Sequence, residues 1–218
     1  MGARIQNEVA VSIPFDDIEK IEIYQNVVNR KTGKRLPLSK ILSKTGADYA
    51  INGTLYDMRN GRPVCPLKYN GKVLFHGKYK YRGYVWDNFD PGSFHLDLLP
   101  TDEWSNYIAC ANIVMNTKAI SKPVYNAAQG GRRGRTAIGT KYVNGQYRLC
   151  LYASKDRGTA RKTPEQLATL LQSYGWQDAV MLDCGGSSQV YLKKEKRQVY
   201  SSRRVAHVIL VYLKKGKK

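Results

Sequence analysis

Apolar and polar positions alternate most legibly in the second half of the chain. Residues 136–143 and 146–153 are two apolar-rich runs separated by Asn144-Gly145. Asn and Gly tolerate positive φ at little cost, so this pattern predicts a tight β-hairpin. A helix should follow. Thr163 is a natural N-cap, Pro164 suits the first helical position, and Gln166 completes a capping box. Leu167, Leu170, Leu171 and Tyr174 recur at helical spacing, and Gly175 ends the run. Residues 179–182 then read as a short buried strand ending at Asp183, residues 184–188 as a glycine- and serine-containing turn, residues 189–193 as a strand, and residues 204–213 as a final buried strand.

The first half is less regular. Residues 20–28 predict a strand, followed by a basic turn around residues 32–34, and residues 1–47 read as an N-terminal extension packed on a single domain spanning 48–218. Asn60-Gly61 and Asn70-Gly71 are further hairpin-type turns. Residues 76–106, rich in Tyr, Trp and Phe without clear period, read as a long functional loop or insertion. No internal repeat or low-complexity linker divides the chain. These elements together predict an α+β fold: a mixed, strand-rich sheet core with few helices.

Composition narrows the partners. Lys and Arg total 36 against 17 Asp and Glu, a net charge of +19. Such a field draws polyanions, which include nucleic acid, anionic glycopolymers and anionic membrane surfaces. No run approaches the roughly 20 apolar residues of a membrane-spanning helix. The N-terminus has no apolar run of signal-peptide type, so a cytoplasmic location is expected. The four cysteines form no CxxC pair and the three histidines are dispersed, so neither a metal nor a cofactor is expected.

The segment carrying the most chemistry is Val180-Met-Leu-Asp-Cys-Gly-Gly-Ser-Ser-Gln189. Glycines let backbone N–H groups approach an anion closely, while a strand-end carboxylate can orient a hydroxyl, act as a base, or stabilise charge at an anomeric carbon. A tight turn capped by Asp183 is the plainer alternative. Gly130-Gly-Arg-Arg-Gly-Arg135 reads alone as a nucleic-acid contact of RGG type, and in context as a basic loop feeding the next strand.

The 180–189 segment resembles the Asp-Gly-Gly-Gly-Ser-Ser signature of the phosphodiester glycosidase family. Upstream, Arg135-Thr-Ala-Ile-Gly139 and Ala50-Ile-Asn-Gly-Thr-Leu-Tyr-Asp57 resemble two further motifs of that family. Thr163 to Leu171 resembles its helix, and the strand beginning Arg204-Val resembles its closing strand. All appear in family order. The resemblance implies a hydrolase that cleaves a sugar-1-phosphodiester, in a polyanionic glycopolymer or a nucleotide-linked sugar. It carries over Asp183, Asp57 and Arg135 as catalytic candidates. Asn52, Gly53, Thr136, Gly185, Gly186, Ser187 and Ser188 become substrate-binding candidates, with Arg135 as the partner of the phosphate. Cys184 replaces the first glycine of the triplet, Thr54 replaces a glycine, and His207 stands where many relatives carry Asn. A positive φ at Cys184 would strain the turn. These departures keep a non-catalytic module that binds phosphorylated sugars or nucleotides as an alternative, with a nucleic-acid-binding protein as a second one. Charge and resemblance together also allow a virus-encoded protein acting at a cell wall after release.

Overall fold

The computed structural model describes residues 3–28, 34–76, 82–97 and 103–215. Part of the expected basic turn at 32–34 and the end of the C-terminal tail lie outside them.

Two six-stranded sheets face each other. The first has the order β1 (Arg4–Ile5), β16 (Arg197–Val199), β15 (Val190–Leu192), β4 (Tyr49–Asn52), β17 (His207–Leu213) and β3 (Ile18–Gln25). The second runs β11 (Lys118–Ala119), β10 (Ala111–Met115), β14 (Asp178–Met181), β12 (Thr136–Val143), β13 (Gln146–Ser154) and β2 (Glu8–Pro14). The first 47 residues thus supply an edge strand to each sheet, β3 beside β17 and β2 beside β13.

Alternate residues of each strand serve two cores. Ile51, Ile209 and Val211 of the first sheet meet Ile138, Leu149, Leu151 and Val180 of the second between the layers. On the outer face of the first sheet, Ala50, Val208 and Leu210 pack against Leu38, Ile41 and Leu42 of α1 (Leu38–Thr45). Ala137, Tyr152, Ala179 and Met181, on the outer face of the second, pack against Leu167 and Leu171 of α2 (Pro164–Ser173). Strands buried on both faces read as continuous apolar runs rather than as alternation, which explains the lack of period-2 patterning in much of the sequence. The strand-rich α+β expectation holds, with two α-helices among the described residues.

The local signals act as expected. Asn144 (φ 51°) and Gly145 (φ 80°) join β12 to β13, with Val143 opposite Gln146. The Thr163 hydroxyl accepts from the Gln166 N–H and the Gln166 side chain accepts from the Thr163 N–H, closing the capping box. Asn70-Gly71 turns β5 (Leu67–Tyr69) into β6 (Lys72–Phe75), whereas Asn60-Gly61 turns a loop closed by a single bridge between Tyr56 and Pro63.

The reading of residues 76–106 as a loop is corrected. In that span β7 (Gly83–Asp87) and β8 (Asp90–Asp97) form a hairpin, and β9 (Asn106–Ala109) pairs with β7 to complete a third sheet, ordered β6-β5-β9-β7-β8. Its Tyr84, Trp86, Phe94 and Tyr107 are core, whereas Phe89 in the β7–β8 turn is exposed. Tyr84 stacks on Phe94 with centroids 4.3 Å apart, and the buried Trp86 donates its indole N–H to the Ile21 carbonyl at 2.8 Å. Tyr84, Val85 and Trp86 are all fully buried, so the strand shows no polar face to the sequence reader.

Candidate functional site

The ends of strands from the two main sheets meet at Asn52-Gly53. The Asn52 side chain accepts from Thr136 Oγ1 (2.9 Å) and the Gln189 N–H (3.0 Å), and donates to the Asp183 carbonyl (2.9 Å). The Gly53 N–H donates to the His207 carbonyl at 2.8 Å, and the Gly53 carbonyl accepts from the Asp183 N–H at 3.1 Å. A Cβ on Gly53 would stand 3.0 Å from the Cβ of His207, so only glycine lets the strands approach this closely. Asn52 and Thr136 are completely buried. They fix the position of Asp183 and do not face solvent.

Asp183 follows β14 and is 6% exposed. Burial pushes its carboxyl up to about 6, against the opposing pull of the Ser187 hydroxyl, the Cys184 N–H and the positive charge of Arg203. The Cys184 N–H donates to Asp183 Oδ1 at 2.9 Å. A single 3-10 turn, Gly185–Ser187, comes next.

The strain expected at Cys184 is absent. Its backbone is extended (φ −128°, ψ −172°), and the left-handed residue is Gly185, at φ +64°. Burial raises the Cys184 thiol to about 12, so it is not a thiolate at neutral pH. Cys184→Gly should therefore cost only about 1 kcal/mol, from backbone entropy and lost burial. Turnover should stay within about threefold, because the turn is unchanged. Thermal melts alongside an activity assay check this, and a large gain or loss of turnover would contradict it. Thr54 is equally well accommodated, since its hydroxyl donates to the Ala109 carbonyl at 2.6 Å and ties β4 to the third sheet.

Around the signature turn lies a cleft of about 590 Å³ lined by Gly185, Gly186, Ser188, Lys155, Arg157 and Arg203, among others. Arg203 donates to Ser187 Oγ at 3.2 Å. A Cβ on Gly186 would stand 2.8 Å from its guanidinium. Asp156, the one acid lining the cleft among the described residues, is engaged by the Gly134 N–H (2.8 Å) and by Arg161 (3.3 Å). Tyr56 is buried beside Asp183, Ser187, Arg203 and Arg35. Among the described residues, Tyr56 OH, Ser188 Oγ, His207 Nδ1 and Arg35 Nε are buried without a hydrogen-bond partner, as are the hydroxyls of Tyr84 and Tyr152 in the sheets. Buried polar atoms are rarely left unpaired, and Tyr56 and Ser188 put two of these beside the carboxylate or in the turn that follows it.

Asp183, Gly185, Gly186, Ser187 and Ser188 are thus brought together, with Asn52, Gly53 and Thr136 as their support. Two other candidates point elsewhere. The guanidinium of Arg135, completely buried, donates to the carbonyls of Lys162 (2.6 Å), Gln129 (2.7 Å) and Gly131. It wraps the 129–131 loop around itself and leaves no face for a phosphate. Asp57 closes its own turn, accepting from the Arg59 N–H (2.8 Å) and Asn60 (3.2 Å) and pairing with Arg59, and these contacts hold its carboxyl below the usual range. Sequence reading did not single out Arg203 or Tyr56, although Tyr56 lies inside the 50–57 motif and Arg203 adjoins the strand beginning Arg204. Among the described residues, no group of three or more His, Cys, Asp or Glu could hold a metal ion, and no helix is long and apolar enough to cross a membrane.

Fold and site together define a two-sheet sandwich, with a helix on each outer face and a buried carboxylate set above a glycine-serine turn. A family profile described as phosphodiester glycosidase matches residues 45–212. The chain belongs to the phosphodiester glycosidase family. The catalytic domain of zebrafish N-acetylglucosamine-1-phosphodiester alpha-N-acetylglucosaminidase, auto-inhibited by its pro-peptide, has a similar fold. It is 13% identical with a TM-score of 0.68, and the match covers 97% of this chain and 87% of that one. A hypothetical protein from Synechocystis is similar too, at 13% identity and a TM-score of 0.73 over 98% of this chain and 61% of that one. No curated protein sequence matches at a significant level.

Proposed function

We propose that this chain hydrolyses the bond between an anomeric carbon and the phosphate of a sugar-1-phosphodiester. The observation carrying this reading is Asp183, a buried carboxylate with a raised pKa, linked through Ser187 to Arg203 at the mouth of a basic cleft. In its ionised form Asp183 takes the proton of an attacking water as the water oxygen bonds to the anomeric carbon. The bond from that carbon to the phosphate oxygen breaks, and the phosphomonoester leaves as an anion. Such a leaving group needs no proton to depart, so one carboxylate suffices where ordinary glycosides call on two. Arg203 and the Gly186 N–H meet the phosphate, while the Gly185 N–H is held by the Gly134 carbonyl at 2.8 Å. The +19 charge of the chain favours a polyanionic glycopolymer as the natural setting of that bond.

The reading is tested by the pH profile. A base with a pKa of about 6 makes kcat/KM fall as pH drops below about 6. Because the Arg203 charge lowers the Asp183 pKa, Arg203→Gln should move this acid limb to higher pH, and should also raise KM by about tenfold through the lost charged hydrogen bonds. A limb that stays in place on removal of Arg203 would separate Asp183 from the titration.

A further inference from the structure

A second cavity, of about 600 Å³, is lined by His207, Arg35, Asn60, Gly61, Arg62 and Phe75, among others. Tyr56 connects it to the catalytic cluster. The ring of Tyr56 meets that of His207 edge-on with centroids 6.3 Å apart, while its hydroxyl lies beside Asp183 and Ser187. Gly53 makes a second connection, bonding through its N–H to His207 and through its carbonyl to Asp183.

The chemistry of this cavity is one-sided. Among the described residues no Asp or Glu lines it, whereas Arg35 and Arg62 both do. The Arg35 guanidinium makes no ion pair among the described residues, and its buried Nε has no hydrogen-bond partner. It is held in place by shape. Gly61, at φ +79°, lets it lie against the backbone, where a Cβ would come within 2.0 Å of Nη2. His207 is 5% exposed and its Nδ1 is unpartnered. Burial, reinforced by Arg35, lowers its pKa to about 4, so near neutral pH the ring offers a hydrogen bond and no charge. A half-buried guanidinium without an ion pair among the described residues, beside a neutral imidazole, suits an anion carried on a hydroxyl-bearing ligand. Leu74 and Phe75 add an apolar wall for a ring face.

We propose that this cavity binds a second anionic group of the substrate, a carboxylate or a phosphate, with Arg35 as its partner and His207 bonding a neighbouring hydroxyl. The substrate class is then a glycosyl phosphodiester that carries another negative charge beyond the scissile phosphate. This rests on the hydrolase reading above and specifies its substrate.

Three compounds test it: a glucosyl phosphodiester with a neutral sugar, the matching glucuronosyl phosphodiester, and a nucleoside-diphosphate glucose. The wild type should bind one doubly charged compound about tenfold or more tighter than the singly charged one. Preference for the glucuronosyl compound identifies a carboxylate on the sugar, and preference for the nucleotide identifies a second phosphate. Arg35→Gln should erase that ratio, and the exposed Arg62→Gln should reduce it, which keeps the test open if the first variant folds poorly. Equal affinities for the three compounds, or a ratio untouched by both variants, overturns the inference. Calorimetry on Asp183→Asn reads the same ratio without turnover. A preference there with no hydrolysis by the wild type would overturn the hydrolase reading and leave this one standing.

Discussion

Asp183→Asn lowers kcat by about a thousandfold and at the same time makes the protein more stable at pH 8. The first effect follows from removing the base of the water attack, for which such factors are usual. The second follows from linkage. The Asp183 carboxyl titrates at about 6 in the folded chain against an ordinary value of 3.8, because burial disfavours its charge. The folded state therefore holds this proton more tightly than the unfolded state does. Its contribution to stability is fully present below about pH 4 and is lost as pH rises through 6. A shift of about two units corresponds to roughly 3 kcal/mol. Asparagine keeps an oxygen for the Cys184 N–H and has no charge to bury, so the variant should gain up to that amount at pH 8 and little at pH 4. Urea unfolding at both pH values, with turnover of a sugar-1-phosphodiester, checks both halves. Unchanged kcat, or an asparagine variant weaker at pH 8, would remove Asp183 from the role assigned to it. A site that costs stability and returns it on neutralisation is the behaviour of a functional residue.

Arg135→Met has the opposite signature. Here the loss falls on folding, since the guanidinium satisfies three buried or part-buried carbonyls, those of Gln129, Gly131 and Lys162. Leaving them unpaired costs about 1–3 kcal/mol each, so a total of about 3–9 kcal/mol is expected, enough to unfold a marginal domain. Arg135→Lys should rescue little, because one ammonium cannot reproduce a planar fork aimed at three acceptors. Chemical denaturation of both variants measures this. A variant as stable as wild type that shows only a raised KM would return Arg135 to the phosphate, where the motif reading first placed it.

These two residues mark how far local sequence reaches. The β12–β13 hairpin, the capped helix α2 and the 184–188 turn were legible because each depends on chemistry within a few residues: paired positive φ angles, a hydroxyl cap, a glycine. The motif Asp183 to Ser188 was legible for the same reason. Residues 76–106 were not, because Tyr84, Trp86 and Phe94 are buried by partners distant in sequence and show no polar face to set a period. Nor does local pattern say where an arginine points. Arg135 and Arg203 are both long cations beside glycines. Only the bridge of residues 133 and 162 and the approach of Gly186 to Arg203 turn one into the core and the other to the cleft. Family, the β12–β13 hairpin, the helix α2 and the signature turn were therefore legible in sequence alone. The placement of Arg203, Tyr56 and Arg135, and the second cavity beside His207, were decided by tertiary structure, because burial and charge environment are set by strands that meet across more than a hundred residues.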